Sequence, residues 1–173
     1  MRRLLHVQNG TLEEPLDLIS LWEDWSKAGH ARKPNIAYCT LTYVDESDQK
    51  ALDVALYRAS RAYEGFLAKP KPGETFEERV REHAKRFIGR GEPGASEIMA
   101  NLFDPDYLMK HELVFIGSPD TVAERIRKAA KSGLFNVLMA ELNFSDLPEA
   151  DLMRSIRLFG EKVIPALRGD EPF

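Results

Sequence analysis

Two apolar runs stand out along this chain, and the first of them contains no charged residue. Residues 35–44 are rich in β-branched and aromatic types, which predicts a strand buried on both faces. Residues 135–142 predict a second buried strand, and shorter apolar runs at 3–7 and 112–116 predict two more. Between these runs, apolar residues recur every three or four positions, as on one face of a helix. The pattern therefore predicts strands separated by helices.

Several of the predicted helices have clear starting residues. Ser47 precedes a helix that begins with acidic residues and runs on to Phe66. Thr75 has Glu78 three residues later, the spacing of a capping box. Ser118 suits the cap of a third helix, and the proline that follows it suits the first helical position.

The first and last helices are predicted from their apolar stripes. The first begins at a cap at Thr11 and ends near Gly29; its stripe is Leu16, Ile19, Trp22 and Trp25. The last begins at Ser145 or Asp146, and the residues expected to face inward are Leu152, Ile156, Phe159 and Val163.

The order of these elements indicates an α/β domain. Strands alternate with helices, which favours parallel strands joined by helical crossovers. Proline- and glycine-rich breaks near 69–73 and 89–94 interrupt the helices in the middle of the chain. We expect residues 1–173 to form a single domain, with 69–111 as a helical insertion.

Composition excludes several classes of function. The net charge of -4, with basic residues interleaved among acidic ones, gives no electrostatic case for nucleic acid. No apolar run is long enough to span a bilayer, so we expect a cytoplasmic protein. A single cysteine, Cys39, excludes an internal disulfide and is expected to be an inert buried thiol. The four histidines lack metal-ligand spacing, so no metal is expected.

Three consecutive segments carry recognisable motifs, namely Phe115–Ile126, Gly133–Met139 and Arg154–Pro165. The first contains a Gly-Ser-Pro-x-x-Val signature on Gly117, Ser118, Pro119 and Val122. Together they resemble segments of the luciferase-like, flavin-dependent monooxygenases: the second, which begins at a glycine helix stop, is similar to the family's last barrel strand, and the third is similar to its closing helix.

The resemblance implies a partial TIM (β/α)₈ barrel made of its C-terminal βα units. It also implies oxidoreductase chemistry with reduced FMN, or the deazaflavin F420, and oxygen on a small organic substrate. The insertion 69–111 occupies the place of a mobile lid in relatives. The early barrel strands are missing, so the open sheet should be covered by a second copy or by a complementary half-barrel chain. Whether this chain is itself an enzyme stays open; the alternative is a non-catalytic remnant that acts as a binding or oligomerisation module.

Candidate site residues lie at the predicted carboxyl ends of the strands, where barrel enzymes place their active sites. Glu141 is the candidate catalytic residue, and the alternative is a solvated carboxylate in the following loop. Thr42 and Asn143 are candidate cofactor contacts. Gly117 and Ser118 could bind a flavin phosphate at a helix N-terminus, and simple capping by Ser118 is the alternative.

Overall fold

The computed structural model describes residues 4–7, 18–29, 35–86, 98, 100–131 and 135–169, with side chains from residue 23 onward. The first half contains β1 (Leu4–Val7), α1 (Leu18–Lys27), β2 (Asn35–Val44), α2 (Asp48–Arg61), a 3-10 turn (Glu64–Phe66) and α3 (Phe76–Lys85). The second half contains α4 (Pro105–Lys110), β3 (Val114–Gly117), α5 (Pro119–Lys131), β4 (Val137–Glu141) and α6 (Glu149–Leu158). The helix α6 continues through a π-helical stretch (Phe159–Val163) into α7 (Ile164–Ala166).

The four strands among the described residues are all parallel, and β2 pairs with each of the other three. Ala37 of β2 is in register with β1 and also with β4, whereas Leu41 is in register with β3 and with β4. Therefore β1 and β3 lie along one edge of β2, and β4 lies along the other. The strands β1, β2 and β4 are side by side in chain order, as successive strands of a barrel are.

Helices cover both faces of this sheet. On one face, Tyr38 and Phe115 pack with Val122 and Ile126 of α5. On the other face, Leu41 and Val114 pack with the alanines of α2. This arrangement follows from right-handed crossovers, because the chain steps from β2 to β3 in one direction and from β3 to β4 in the other. The α5 face also carries the closing helices, so it corresponds to the outside of a barrel; we call the opposite one the concave face.

The helix α2 approaches the sheet through small side chains. Ala51, Ala55 and Ala59 recur every four residues and are fully buried. Side chains four apart lie on one helix face, so the three alanines form a flat strip against β2 and β3. A larger side chain on this strip, such as Ala55→Leu, would overpack the core at a cost of about 1–3 kcal/mol.

The predicted helix starts are confirmed. The Ser47 hydroxyl accepts a hydrogen bond from the Lys50 amide at 3.3 Å. Thr75 and Glu78 form the reciprocal capping box. The Ser118 hydroxyl accepts a hydrogen bond at 3.4 Å from the amide of Thr121, the third residue of α5. The strand 35–44 is also confirmed at both ends.

Three expectations about helices were wrong. The closing helix begins at Glu149 rather than at Ser145 or Asp146, because Pro148 fixes its start and Ser145 has a φ of 55° that a helix does not allow. Ile156 is 40% exposed instead of facing inward. Its neighbour Ser155 faces the sheet, where its hydroxyl accepts a hydrogen bond from the Val44 amide at 2.9 Å. The helix α2 ends at Arg61, before reaching Phe66.

Some predicted features lie outside the described residues, namely the cap at Thr11, the inward position of Leu16 and the helix stop at Gly133. The predicted end near Gly29 is confirmed, since Gly29 has a φ of 81° and its amide donates to the Ser26 carbonyl. Across the described ranges, none of the helices is long and apolar enough to cross a membrane.

Candidate functional site

A buried ion pair lies at the carboxyl end of β2. Asp45 follows the strand directly, and its side chain is fully buried. The guanidinium of Arg154, on α6, donates from Nη2 to Asp45 Oδ2 at 2.8 Å and from Nε to both carboxylate oxygens at 3.2 Å. Paired geometry of this kind is the strongest that arginine and carboxylate form. The pair therefore fixes α6 against the end of β2.

Further donors complete the environment of Asp45. The Glu46 amide donates to Oδ1 at 2.7 Å, and the Tyr43 hydroxyl donates to Oδ2 at 3.2 Å. Arg154 also donates to Asp151 at 2.6 Å. Each oxygen of the buried carboxylate accepts at least two hydrogen bonds, so its charge is compensated within the protein.

The pKa values of Asp45 and Tyr43 are shifted in opposite directions. Burial raises the pKa of Asp45, but the hydrogen bonds from Arg154 and the Glu46 amide, together with the Arg154 charge, outweigh burial and hold it below its usual value. Burial and the adjacent Asp45 raise the pKa of Tyr43 to about 12. Asp45 is therefore charged and Tyr43 protonated at neutral pH, so neither group is suited to exchange protons there.

The helix N-terminus at Gly117 and Ser118 is already occupied by a carboxylate. Asp48 Oδ1 accepts a hydrogen bond from the Ser118 amide at 2.6 Å, and its Oδ2 accepts one from the Thr121 hydroxyl at 3.0 Å. These hydrogen bonds, led by the one from the Ser118 amide, lower the pKa of Asp48. A Cβ on Gly117 would lie 2.9 Å from Asp48 Oδ1, so only glycine admits this close approach.

This geometry does not fit a flavin phosphate at Gly117 and Ser118. An anion there would need the amide that Asp48 already occupies, and it would meet the charge of Asp48. The capping interpretation of Ser118 is the one that the contacts support. A phosphate group would have to be held elsewhere in a complete barrel.

The remaining candidate site residues, Thr42, Glu141 and Asn143, do not lie together in one site. Thr42 is buried on the α5 face, where its hydroxyl donates to the Thr40 carbonyl at 3.3 Å. Glu141 ends β4 in register with Leu41, on the concave face, and it is exposed. Asn143, two residues further on, is exposed in the loop.

The concave face brings Glu141 close to two other titratable groups. Burial, followed by the negative charge of Glu141, raises the pKa of Cys39. The same two causes raise the pKa of Tyr63 to about 12. Cys39 is half-buried in β2, and its strand neighbour Met139 is 44% exposed, so this part of the face is open to solvent.

The strongest polar contacts were not predicted from sequence. Asp45 pairs with a residue 109 positions away, and Asp48 binds an amide 70 positions away. The available signal was local: Asp45 is the first charge after ten uncharged strand residues, and Arg154 lies three residues after Asp151. In the ranges that the structure covers, no group of three His, Cys, Asp or Glu side chains is placed to hold a metal ion.

Comparison with solved structures reveals the fold. One match is a type II Baeyer–Villiger monooxygenase in complex with FMN, the oxygenating constituent of 3,6-diketocamphane monooxygenase from Pseudomonas putida. Its TM-score is 0.58 and its sequence identity is 18%, and the match covers 95% of this chain and 42% of that one. The fold of this chain is part of a luciferase-like barrel. The monooxygenase RslO1 from Streptomyces bottropensis matches with a TM-score of 0.56 and 18% identity, over 94% of this chain and 40% of that one.

A third match is the coenzyme F420 dependent tetrahydromethanopterin reductase from Methanopyrus kandleri, with a TM-score of 0.54 and 21% identity. It covers 94% of this chain and 44% of the reductase. The chain thus spans less than half the length of each of these structures. No family model and no curated protein matches the sequence. The expected partial barrel is confirmed as a fold.

Proposed function

We propose that this chain forms the carboxyl-terminal part of a flavin- or deazaflavin-dependent oxidoreductase that acts on a small organic substrate within a larger assembly. The observation that carries the proposal is the order β1, β2, β4 in a parallel sheet, as for successive strands of a barrel. The similarity to structures of an FMN-containing monooxygenase and an F420-dependent reductase supports the cofactor class. When bound, that cofactor would supply the redox chemistry.

In this proposal the chain supplies a scaffold and one wall of the reaction site. The Asp45–Arg154 pair holds the closing helix against β2. The concave face presents the Glu141 carboxylate at the end of β4. Since Asp48 fills the helix N-terminus at Ser118, the cofactor phosphate is held at another position.

The sheet needs a partner along β4. Among the described strands, nothing pairs with the outer edge of β4, and an open parallel edge attracts other strands. Large apolar side chains are exposed on β4 and on the helices after it, and a partner would cover them. They are Met139, Met153, Ile156 and Ile164. We propose that a second copy of this chain or a complementary half-barrel covers this surface.

The test is to isolate the assembly through a tag on this chain and to measure its mass and its bound flavin. We expect a mass above the 19.7 kDa of one chain and visible absorbance from FMN or F420. Ile156→Lys should lower both the mass and the bound cofactor. Phe66→Lys, which changes a side chain exposed to 60% elsewhere on the molecule, is the matched control and should lower neither.

The outcomes separate two functions. An assembly that forms but retains neither FMN nor F420 would contradict the oxidoreductase proposal. That result would favour an oligomerisation module, the function that the exposed apolar side chains alone would support. A mass of 19.7 kDa for wild type would contradict both functions.

A further inference from the structure

A cleft of about 540 Å³ lies between α2, α3 and the segment that leads into α4. This volume is within the range of small-molecule sites in proteins. Two arginines, Arg61 and Arg81, contribute to its lining. The rest of the wall is mainly apolar and aromatic, formed by Tyr57, Phe76, Val80, Ala84, Ala100 and Phe103.

The cleft is separate from the candidate reaction site. The sheet-facing strip of α2 consists of Ala51, Ala55 and Ala59. Tyr57 and Arg61 project from the other side of the helix, because residues two positions from the strip lie about 160–200° around the axis. A ligand in the cleft would therefore be screened from the concave face by the whole thickness of α2.

Arg61 packs on two aromatic rings, and its ion pair with Glu64 is long. Its guanidinium carbon lies 3.3 Å from the centroid of the Phe76 ring and 5.2 Å from that of Tyr57. Its nearest acidic oxygen, on Glu64, is 3.8 Å away, too far for a hydrogen bond. The other oxygen of Glu64 accepts from Arg79 at 2.8 Å. Within the described ranges, Arg61 thus makes no hydrogen bond, although its side chain is only 26% exposed.

The two acidic residues that line the cleft, Glu77 and Asp104, form no ion pair with Arg61 in the part of the chain that the structure describes. Asp104 uses Oδ1 to cap α4, where it accepts the amides of Asp106 and Tyr107 at 2.9 and 3.2 Å. Glu77 is exposed in the first turn of α3. A partly buried cation with free donors beside aromatic walls suits an anion that carries an apolar body.

We propose that this cleft binds a small organic carboxylate with a flat apolar body. The carboxylate pairs with Arg61, and the body packs against Phe76, Val80 and Phe103. This inference goes beyond the proposed oxidoreductase function, since it involves neither a flavin nor a completed barrel.

The test compares phenylpropionate with phenylpropanol, which differ in the charged group, by calorimetric titration of the full chain. Phenylpropionate should bind about tenfold more tightly, as one charge-assisted contact gives. Arg61→Gln should remove this preference and leave the affinity for phenylpropanol unchanged. Arg58→Gln is the matched control: this arginine is on the same helix, pairs with Asp146 and does not line the cleft. Ala84→Trp fills the cleft and should abolish binding of both probes.

Four results would overturn the proposal. The first two are equal affinity for the two probes and no binding of phenylpropionate at millimolar concentration. The third is that Arg58→Gln loses the preference for phenylpropionate to the same extent as Arg61→Gln. The fourth is that Arg61→Gln changes the sedimentation mass while its affinity for the probes is intact. The last would show that the cleft is a contact between copies of the chain. If Ala84→Trp fails to fold, Arg61→Gln still decides, because it replaces a side chain that packs on the surface of two rings.

Discussion

Replacing Arg154 by methionine would leave Asp45 as a buried carboxylate without its cation. Breaking a buried ion pair by removing one partner costs about 3–5 kcal/mol. Asp45 is fully buried, but the Arg154 side chain is 37% exposed, so water screens part of the interaction. We therefore expect Arg154→Met to lower the free energy of unfolding by about 3 kcal/mol.

The matched control is Asp45→Asn, which removes the buried charge instead of its partner. Its amide oxygen still accepts the Glu46 amide, and Arg154 keeps Asp151 and solvent as partners. We expect a loss of about 1–2 kcal/mol. Urea denaturation followed by circular dichroism measures both values, provided that the slope of the transition is unchanged.

The pH dependence gives a second, independent readout. The pKa of Asp45 is lowered in the folded state, so its contribution to stability is present above the unfolded carboxyl pKa of about 3.9 and is lost as the pH falls through the lowered value. Without Arg154, burial shifts this pKa upward. The stability gap between wild type and Arg154→Met should then begin to narrow while the pH is still above the unfolded carboxyl pKa of about 3.9. The gap between wild type and Asp45→Asn should narrow only below that pKa, where wild type loses the Asp45 contribution. Equal losses in the two variants, or a gap that is constant with pH, would refute a buried, unpaired carboxylate as the cause.

Three further predictions test other contacts. Gly117→Ala should lower the free energy of unfolding, measured by thermal unfolding, by about 1–3 kcal/mol, because the added Cβ meets Asp48. Gly160→Ala, with open space around the added Cβ, should raise it by about 0.5–1 kcal/mol, and equal shifts in the two variants would contradict the steric argument. Asp48→Ala should free the amide at the start of α5, so that sulfate raises the melting temperature of the variant but not that of wild type; no difference in the response would contradict occupancy of that helix end. Alkylation of Cys39 should be slow at neutral pH, because burial and the negative charge of Glu141 raise the thiol pKa. Glu141→Gln should shift the pH profile of Cys39 alkylation to lower pH, and an unchanged profile would show that the two groups do not interact.

Much of the fold could be predicted because its signals are local. The uncharged run 35–44 is long enough to identify β2, and a serine or threonine at a helix start forms its cap within three residues. The alternation of strands and helices then limits the topology to parallel strands with right-handed crossovers. These features depend on neighbours along the chain, which the sequence displays directly.

The candidate site was less predictable because its contacts are distant in sequence. Nothing local indicates that Asp45 meets Arg154 or that Asp48 meets Ser118. The error at Ile156 has a related cause: an apolar stripe shows that a helix face is suited to burial, but only the neighbouring elements decide whether it is covered. In this chain the sheet-facing position belongs to Ser155, which bonds the end of β2.

The central position of β2 has a consequence for how the chain folds. Its partners come from positions far away along the polypeptide, as the bond between the Ile36 amide and the Asn136 side chain illustrates across 100 residues. Closing such long loops makes contact order high and folding slow. Neither edge of β2 can be completed until β3 and β4 have been synthesised and brought back to it. In a refolding experiment with pulsed hydrogen exchange, the amides of β2 should therefore gain protection late and together, at the step that closes the sheet.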